Sequence, residues 1–204
     1  MIAIVDYGVG NLFSLRSSFA MIGADAIVTG DEREIRQADK IILPGVGAFG
    51  DAICKLRETG LDRAVTEEAR KGKDIMGICL GMQLLFEKSY EYGEHRGLGL
   101  LGGEIVSMDG RIPKELKIPH IGWNALHFHK DSHLLSGINE NDCVYFVHSY
   151  YAENCRDCLV ASAEYGKEIT AIVQKNNVMG CQFHPEKSGM VGLAILKAFC
   201  EGQK

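Results

Sequence analysis

The first half of the chain alternates short apolar runs with amphipathic stretches, and this alternation restricts the possible folds more than any other feature. The apolar runs predict strands over residues 2–6, 26–29, 41–43 and 75–79. Between the first two runs, Leu12, Leu15, Phe19 and Ile22 recur at intervals of three and four, which is the spacing of one helix face. Strands that alternate with helices form a parallel sheet with helices on both faces.

Glycines and small polar residues mark where the predicted helices begin and end. Asn11 is placed to cap the first helix, and Gly23 is placed to end it. Further helices are predicted over 31–38 and 80–87 and in two segments that stop at Gly60 and Gly72, after a glycine-rich loop over 44–50. The second half predicts strands over 144–148, 159–163, 169–173 and 178–183, then a helix over 190–200 capped by Ser188. We expect one α/β domain over residues 1–204, with a mostly parallel central sheet and extra antiparallel strands in the second half.

Composition and charge argue against several classes of function. The chain has 22 Lys and Arg against 27 Asp and Glu, and no basic tract or aromatic-interleaved patch indicates nucleic-acid binding. No apolar stretch approaches the ~20 residues of a membrane span, and the first residues resemble a core strand rather than a signal peptide. The seven cysteines are therefore expected to be reduced thiols in a cytoplasmic protein.

The most specific local signal is Gly77-Ile78-Cys79-Leu80-Gly81, where a predicted strand meets a predicted helix. Small residues two before and two after a nucleophile permit a cramped turn that lifts the side chain clear of the sheet. The first N–H groups of the following helix then face the sulfur and favour its thiolate form. Taken alone, the segment is equally consistent with a buried cysteine between two packing glycines.

A second signal, His184-Pro185-Glu186, directly follows the predicted strand that ends at Phe183. A reacting thiol needs a base to accept its proton and an acid to protonate the departing amine, and one imidazole can serve both purposes. A neighbouring carboxylate orients the imidazole and stabilises its charged form. A lone histidine here is more typical of a structural or surface group. However, catalytic groups of parallel sheets gather beyond the carboxyl ends of strands, so both signals together predict a triad of Cys79, His184 and Glu186.

The third signal is Pro44-Gly45-Val46-Gly47, a tight loop after another predicted strand. Amide hydrolysis by a thiol passes through a tetrahedral oxyanion that backbone N–H groups stabilise, and removing one donor costs roughly 3 kcal/mol of barrier. Leu80 is the predicted first donor, and the loop near Val46 and Gly47 is the predicted second. Glycines flank the Val46 peptide, so we expect it to rotate towards or away from the oxyanion position. By itself, the loop is more typical of an ordinary glycine turn.

These motifs together resemble the triad (class I) glutamine amidotransferases. The resemblance rests on Pro-Gly-Val-Gly at 44–47, Gly-Ile-Cys-Leu-Gly-Met-Gln at 77–83 and Gln-Phe-His-Pro-Glu at 182–186, which span most of the chain in the family's order. Within this superfamily the chain is most similar to the glutaminase subunits of imidazole glycerol phosphate synthases. The distinguishing stretches are Asp-Tyr-Gly-Val-Gly-Asn-Leu at 6–12, Pro-His-Ile-Gly-Trp-Asn at 119–124 and His-Pro-Glu-Lys-Ser at 184–188. The resemblance implies a flavodoxin-like α/β amidotransferase fold.

The resemblance also implies a role for each residue of the site. Cys79 would attack the side-chain amide of glutamine, His184 oriented by Glu186 would transfer the proton, and water would hydrolyse the glutamyl thioester. Substrate-binding roles are implied for Gly47, Gln83, Glu91, Ser149 and Tyr150. A carboxylate at Glu91 suits the α-ammonium group of glutamine, although a solvated loop acid is the alternative. No cofactor and no metal are implied.

A partner protein follows from the same resemblance, namely a (β/α)8 barrel cyclase that forms a heterodimer with the chain. The cyclase would receive the ammonia without its release to solvent and combine it with a phosphoribulosyl-formimino aminoimidazole carboxamide ribonucleotide. The products would be imidazole glycerol phosphate and an aminoimidazole carboxamide ribonucleotide, in histidine biosynthesis. Positions at or near this interface are implied for Asn11, His120, Trp123, Asn124 and Lys187. An aromatic anchor with polar neighbours is typical of interfaces, although a single tryptophan is also typical of a core.

Two alternative functions remain open from the sequence. Another triad glutaminase, such as one serving pyridoxal phosphate synthesis, would share Cys79 and His184 but should lack the stretches at 7–12 and 119–124. A catalytically silent binding subunit would have no need of a complete triad.

The spacing of Cys155 and Cys158 is that of a zinc or redox pair, but two further ligands at similar spacing are not evident, so we expect free thiols.

Overall fold

The protein is built around a long mixed sheet, which a computed structural model describes over residues 1–202. The strands are β1 Ile2–Val5, β2 Ala26–Thr29, β3 Lys40–Leu43, β4 Asp74–Ile78, β5 Phe86–Ser89, β6 His95–Arg96, β7 Leu101–Ser107, β8 His120–Ala125, β9 His127–Phe128, β10 Cys143–His148, β11 Tyr150–Glu153, β12 Leu159–Glu164, β13 Glu168–Lys175 and β14 Val178–Cys181. The helices are α1 Leu12–Met21, α2 Glu32–Gln37, α3 Phe49–Glu58, α4 Leu61–Arg70, α5 Leu80–Leu84 and α6 Gly189–Glu201, with 3₁₀ turns at His133–Leu135 and Pro185–Lys187.

The main sheet has the strand order β2-β1-β3-β4-β14-β13-β12-β9. Its first five strands pair in parallel, and β13, β12 and β9 extend it in antiparallel fashion. A pair formed by β10 and β8 and a smaller sheet of order β11-β7-β5-β6 lie outside the main sheet. The predicted α/β class, with a mostly parallel sheet and additional antiparallel strands, is confirmed.

Apolar side chains cover both faces of the main sheet because successive residues of a strand point to opposite sides. In β1, Ala3 and Val5 pack into one core layer, whereas Ile2 and Ile4 pack into the other. The first layer also contains the buried apolar side chains of α2, α3 and α4, and the second contains large buried apolar side chains of α1 and α6. A parallel sheet enclosed in this way directs its catalytic groups to loops at the strand ends.

The helix predicted over residues 80–87 is shorter than expected. It ends at Leu84, and Phe86–Ser89 forms β5 instead. The carbonyl groups of Leu84 and Leu85 accept hydrogen bonds from Leu98 N–H at 2.8 Å and Leu101 N–H at 3.0 Å. These long-range partners replace the hydrogen bonds that a further helical turn would make.

Two predicted helix caps also differ from the structure. Asn11 and Ser188 do occupy the positions before α1 and α6, but neither side chain makes a capping hydrogen bond. The Ser188 hydroxyl instead donates to His184 O at 2.7 Å and accepts from Tyr145 N–H at 3.0 Å. Residues 90–129, for which the sequence predicts no element, contain β6, β7, β8 and β9. Within residues 1–202, none of the helices is both long enough and apolar enough to cross a membrane.

Candidate active site

Cys79 lies in a strained turn between β4 and α5. Its backbone angles are φ 55° and ψ −114°, and a positive φ is rare for any residue with a side chain. A Cβ on Gly77 would lie 2.6 Å from Gly81 O, and one on Gly81 would lie 1.8 Å from Leu43 O. Both positions therefore require glycine, because other backbone occupies the space that a side chain would need. The turn has the geometry of a nucleophile elbow.

His184 follows β14, the strand adjacent to β4, and therefore lies at the same edge of the sheet as Cys79. Its Nδ1 is 2.8 Å from Glu186 Oε1, and the two side chains are only 5% and 1% exposed. Burial opposes the charged imidazole, but hydrogen bonds with Cys79 and Glu186 outweigh it and raise the pKa of His184 to about 10. At neutral pH the site therefore holds an imidazolium next to the sulfur, an arrangement that favours thiolate.

The backbone around His184 is held by β10 and by the start of α6. His184 N–H donates to Tyr145 O at 3.0 Å, and His184 O accepts from the buried Ser188 hydroxyl. Ser188 bonds Tyr145 N–H in turn, so one hydroxyl connects the strand, the histidine and the helix. The imidazole is thus positioned by main-chain contacts on both sides.

The loop after β3 packs directly against the start of α5. A Cβ on Gly45 would lie 2.7 Å from Gly81 N and 3.0 Å from the Tyr7 hydroxyl, so the backbones meet closely here. Tyr7 is buried, and its hydroxyl donates to Pro44 O at 2.7 Å. Gly47 has φ +91°, a conformation that favours glycine. The predicted oxyanion loop is therefore anchored beside the nucleophile at one end, while Val46 is exposed.

A cavity of about 290 Å³ joins these features. Thirteen residues line it: Asn11, Val46, Gly47, Cys79, Leu80, Gln83, Glu91, Val147, His148, Ser149, Tyr150, His184 and Lys187. It therefore brings together the predicted nucleophile and base, all three predicted oxyanion residues and all five predicted substrate-binding residues. Glu186 lies outside the lining and contacts the imidazole of His184. The cavity thus holds a nucleophile, a base and backbone N–H groups, and a carboxylate outside it orients the base; these are the parts that covalent amide hydrolysis requires.

The comparison with protein families decides how this arrangement is to be interpreted. The model of the family described as "Glutamine amidotransferase class-I" matches residues 3–201. The chain belongs to this family. The resemblance inferred from the motifs is thereby confirmed, and the class-I amidotransferase cavity described above is its candidate active site.

Individual relatives agree with this family assignment. The amidotransferase is 52% identical over 202 residues to the imidazole glycerol phosphate synthase subunit HisH of Caldanaerobacter subterraneus subsp. tengcongensis, with 98% of each chain covered. It is 51% identical over 201 residues to the HisH subunit of Lactococcus lactis, again with 98% of each chain covered. Among solved structures, a glutamine amidotransferase matches with a TM-score of 0.77 at 17% identity over 98% of each chain. PurLQS from Thermotoga maritima matches with a TM-score of 0.75 at 22% identity, over 98% of this chain and 97% of that one. The two structures support the fold.

The predicted substrate-binding residues of this amidotransferase differ in how firmly they are held. Gln83 is buried, and its Nε2 donates to Tyr150 O at 3.0 Å and to Gln182 Oε1 at 2.9 Å. Glu91 is partly buried and accepts from Phe49 N–H at 2.6 Å, so it is not a freely solvated acid. Burial raises the pKa of Glu91, whereas the hydrogen bond from Phe49 opposes that change.

The predicted interface residues fall into two groups. Asn11 and Lys187 line the cavity, and Trp123 is 55% exposed, with its ring edge-on to Tyr145 at 5.9 Å. His120 is fully buried, so it does not itself present a surface to a partner. Its Nε2 is 2.8 Å from Asn124 Oδ1, and this contact fixes the orientation of the Asn124 side chain.

Sequence reasoning did not assign a functional role to Tyr7, His148 or Gln182, and it predicted Ser188 only as a helix cap. Tyr7, His148 and Gln182 are polar residues at or just beyond the carboxyl ends of apolar strands, a signal that could have identified them. His148 donates from Nδ1 to Tyr150 O at 2.8 Å, and burial lowers the pKa of His148 to about 3. The His148 imidazole, which lines the cavity, is therefore uncharged at physiological pH.

The other cysteines and histidines form no second centre in the part of the chain that the structure describes. Each of the seven cysteines is a free thiol, as expected. Cys155 and Cys158 are buried, and Cys155 Sγ contacts Thr170 Oγ1 at 3.4 Å. Over residues 1–202, no group of three or more His, Cys, Asp and Glu side chains is placed to hold a metal ion.

Proposed function

We propose that this chain is the glutaminase subunit of an imidazole glycerol phosphate synthase. It hydrolyses glutamine to glutamate and ammonia in the cytoplasm, and a (β/α)8 cyclase partner uses the ammonia. The observation that supports this most strongly is a sequence identity of 51–52% to HisH subunits over 98% of their length. In addition, Cys79 and His184 line one cavity, and Glu186 contacts His184.

The first half of the reaction begins with the Cys79 thiolate and the His184 imidazolium. The sulfur attacks the side-chain carbonyl carbon of glutamine, and the carbonyl oxygen becomes an oxyanion. Leu80 is the first residue of α5, so its N–H has no acceptor within the helix and can donate to that oxygen. Val46 or Gly47 supplies the second donor. His184 then protonates the departing nitrogen, ammonia leaves, and a glutamyl thioester remains on Cys79.

The second half of the reaction restores the thiolate. His184, now neutral, accepts a proton from a water molecule whose oxygen attacks the thioester carbonyl. Glu186 stabilises the imidazolium that forms, because its carboxylate lies 2.8 Å from Nδ1. Collapse of the second tetrahedral intermediate expels the Cys79 sulfur and releases glutamate. The proton given to ammonia is thus replaced by one taken from water.

Glutamine is held by polar side chains and backbone groups that line the cavity. Glu91 binds the α-ammonium group through a charge-assisted hydrogen bond. Gln83 has its nitrogen committed to Tyr150 and Gln182, so its carbonyl oxygen is the group that accepts from the substrate. Gly47, Ser149 and Tyr150 complete the pocket, consistent with their place in its lining.

The cyclase binds at the edge of the sheet where the cavity opens. Helices α1 and α6 both begin at this edge, because each follows a parallel strand of the main sheet. Their first turns expose Phe13 by 82% and Met190 by 79%, and β8 exposes Ile121 by 58%. With Trp123, these apolar groups provide the anchors that a protein interface uses. Lys187, whose Nζ lies 5.8 Å from the Tyr145 ring centroid, and Asn11 border the same cavity.

The Cys79→Ala variant tests the proposed function in the complex with the barrel cyclase. We expect loss of glutamine-dependent synthesis of imidazole glycerol phosphate, while synthesis from added ammonium salt continues, because the cyclase keeps its own site. Survival of both activities would favour the silent binding subunit instead. If the protein releases ammonia from glutamine but supports no such synthesis with the cyclase, it serves another synthase.

Coupling between the two subunits is tested by glutamine turnover with and without the ligand-loaded cyclase. We propose that the Val46 peptide rotates to complete the oxyanion site only when the cyclase is occupied. Turnover should therefore rise strongly on addition of the loaded cyclase. Equal turnover by the isolated chain would contradict this regulation without affecting the chemistry assigned to Cys79.

A further inference from the structure

Gln182 is a fully buried amide whose nitrogen lies 3.7 Å from the Cys79 sulfur. It directly follows β14, two residues before His184, and its backbone N–H donates to Ala171 O at 2.8 Å. A buried glutamine is costly unless both ends of its amide have partners. Here one partner of the amide is the nucleophile itself.

A chain of hydrogen bonds determines which end of the amide faces the sulfur. The carbonyl of Tyr150 can only accept, so Gln83 must present its nitrogen there, at 3.0 Å. The same nitrogen is 2.9 Å from Gln182 Oε1 and donates its second hydrogen to it. A flipped Gln182 amide would place two NH₂ groups against each other and a carbonyl oxygen against the sulfur. The network therefore directs Gln182 Nε2 towards Cys79.

We propose that Gln182 donates a hydrogen bond to the Cys79 thiolate, and that Gln83 and Tyr150 position this donor. A thiolate accepts a hydrogen bond more strongly than a thiol does, so the contact favours the reactive form. The sulfur then has two donors, the His184 imidazolium and the Gln182 amide. The amide donor, unlike the imidazolium, keeps its hydrogen throughout turnover. It therefore also stabilises the thiolate when the thioester collapses.

Alkylation of Cys79 by iodoacetamide measures this contact without glutamine, so the test is independent of the proposed function on which the mechanism rests. Trypsin cleavage after Lys73 and Lys88 yields a peptide, residues 74–88, in which Cys79 is the only cysteine. Its alkylation rate is followed by mass spectrometry across a pH series. The half-plateau pH of that rate reports how readily the thiolate forms.

Gln182→Met keeps the length and burial of the side chain but removes the donor. We expect its half-plateau pH to rise by about one pH unit, as loss of a hydrogen bond to a charged group predicts. Gln182→Glu, which keeps an acceptor for Gln83 but turns an oxygen towards the sulfur, should shift it further. Gln83→Met leaves Gln182 in place but removes its positioning partner, and it should cause a smaller rise in the same direction.

Gln174→Met is the matched control, because Gln174 is also a buried glutamine but bonds Ser132 and Asn176 outside the cavity. Its half-plateau pH for Cys79 should equal that of the wild type. An unchanged half-plateau pH in both Gln182→Glu and Gln83→Met would overturn the proposal, whether or not Gln182→Met folds. A shifted profile in a protein that hydrolyses no glutamine would support the contact while contradicting the proposed function.

Discussion

Replacing Glu186 by glutamine should remove most glutamine hydrolysis while leaving the fold intact. Glu186 and glutamine have nearly the same shape, and the carboxylate is only 1% exposed, so the variant tests charge rather than packing. In the wild type, Oε1 accepts from His184 Nδ1 at 2.8 Å, whereas Oε2 is buried with no hydrogen-bond partner. The two oxygens thus offer the new amide two orientations, and both are unfavourable.

The size of the effect follows from these two orientations. If the amide oxygen faces Nδ1, the hydrogen bond remains but is no longer charge-assisted, which costs about 1–1.5 kcal/mol, or about 5- to 13-fold in rate. The amide nitrogen then occupies the unpartnered Oε2 position and is buried without an acceptor. If the nitrogen faces Nδ1 instead, His184 must adopt the opposite tautomer, a change that costs about 10⁴-fold in a comparable triad. The rate should therefore fall at least about fivefold.

Glutamate release by the cyclase complex at saturating glutamine is the appropriate assay. Glu168→Gln is the matched control, because Glu168 also pairs with a histidine, His129, at 2.9 Å, but on the protein surface. We expect the control to retain wild-type turnover within about twofold and the pKa of His184 to fall only in Glu186→Gln. The reasoning is refuted if Glu186→Gln keeps more than about a third of wild-type kcat, since less than about 0.7 kcal/mol would then depend on the charge.

Three further predictions test the turn, the loop and the titration of the base. Gly81→Ala places a Cβ 1.8 Å from Leu43 O, so thermal denaturation should show a fall in Tm of several degrees, and an unchanged Tm would contradict the required close approach. Tyr7→Phe leaves the buried Pro44 carbonyl without its donor, and urea unfolding should show a loss of about 1–3 kcal/mol; a loss below about 0.3 kcal/mol would show that the hydroxyl does not anchor the loop. The pKa of His184 is raised from 6.5 to about 10, so its contribution to stability is fully present below pH 6.5 and is lost as pH rises through 10. Glutamine turnover should also fall as pH rises through about 10. A pH-rate profile in which turnover is already halved near pH 7 on the alkaline side would contradict this assignment.

Much of the fold was predictable because its signals are local. Strands β1 to β4 have apolar runs of the expected length, and glycines at 60 and 72 adopt positive φ after the helices they were expected to end. The helix over 80–87 was predicted incorrectly because its last carbonyls bond residues 98 and 101, and no local pattern contains that information. The small sheet built from β5, β6, β7 and β11 was missed for the same reason. That residues 1–204 form a single domain stays a prediction.

The candidate site was predictable at positions where chemistry restricts the residue type. Cys79, His184 and Glu186 stand at strand ends in a recognisable order, and the structure places them together. Gln182 was not recognised, because its orientation depends on Gln83 and on a carbonyl of β11, both distant in sequence. His120 was expected at or near a partner surface, but stacking on Phe146 at 4.9 Å buries it.

The most direct test of Cys79 as the nucleophile is covalent labelling by a glutamine analogue that carries a diazoketone in place of the side-chain amide. Such an analogue needs the glutamine pocket for binding and a thiolate for alkylation, so one label reports both. We predict one adduct per chain, located in the tryptic peptide 74–88, with its appearance matching the loss of glutamine hydrolysis. Complete inactivation with the label on another residue, or complete labelling of Cys79 with hydrolysis retained, would contradict the account.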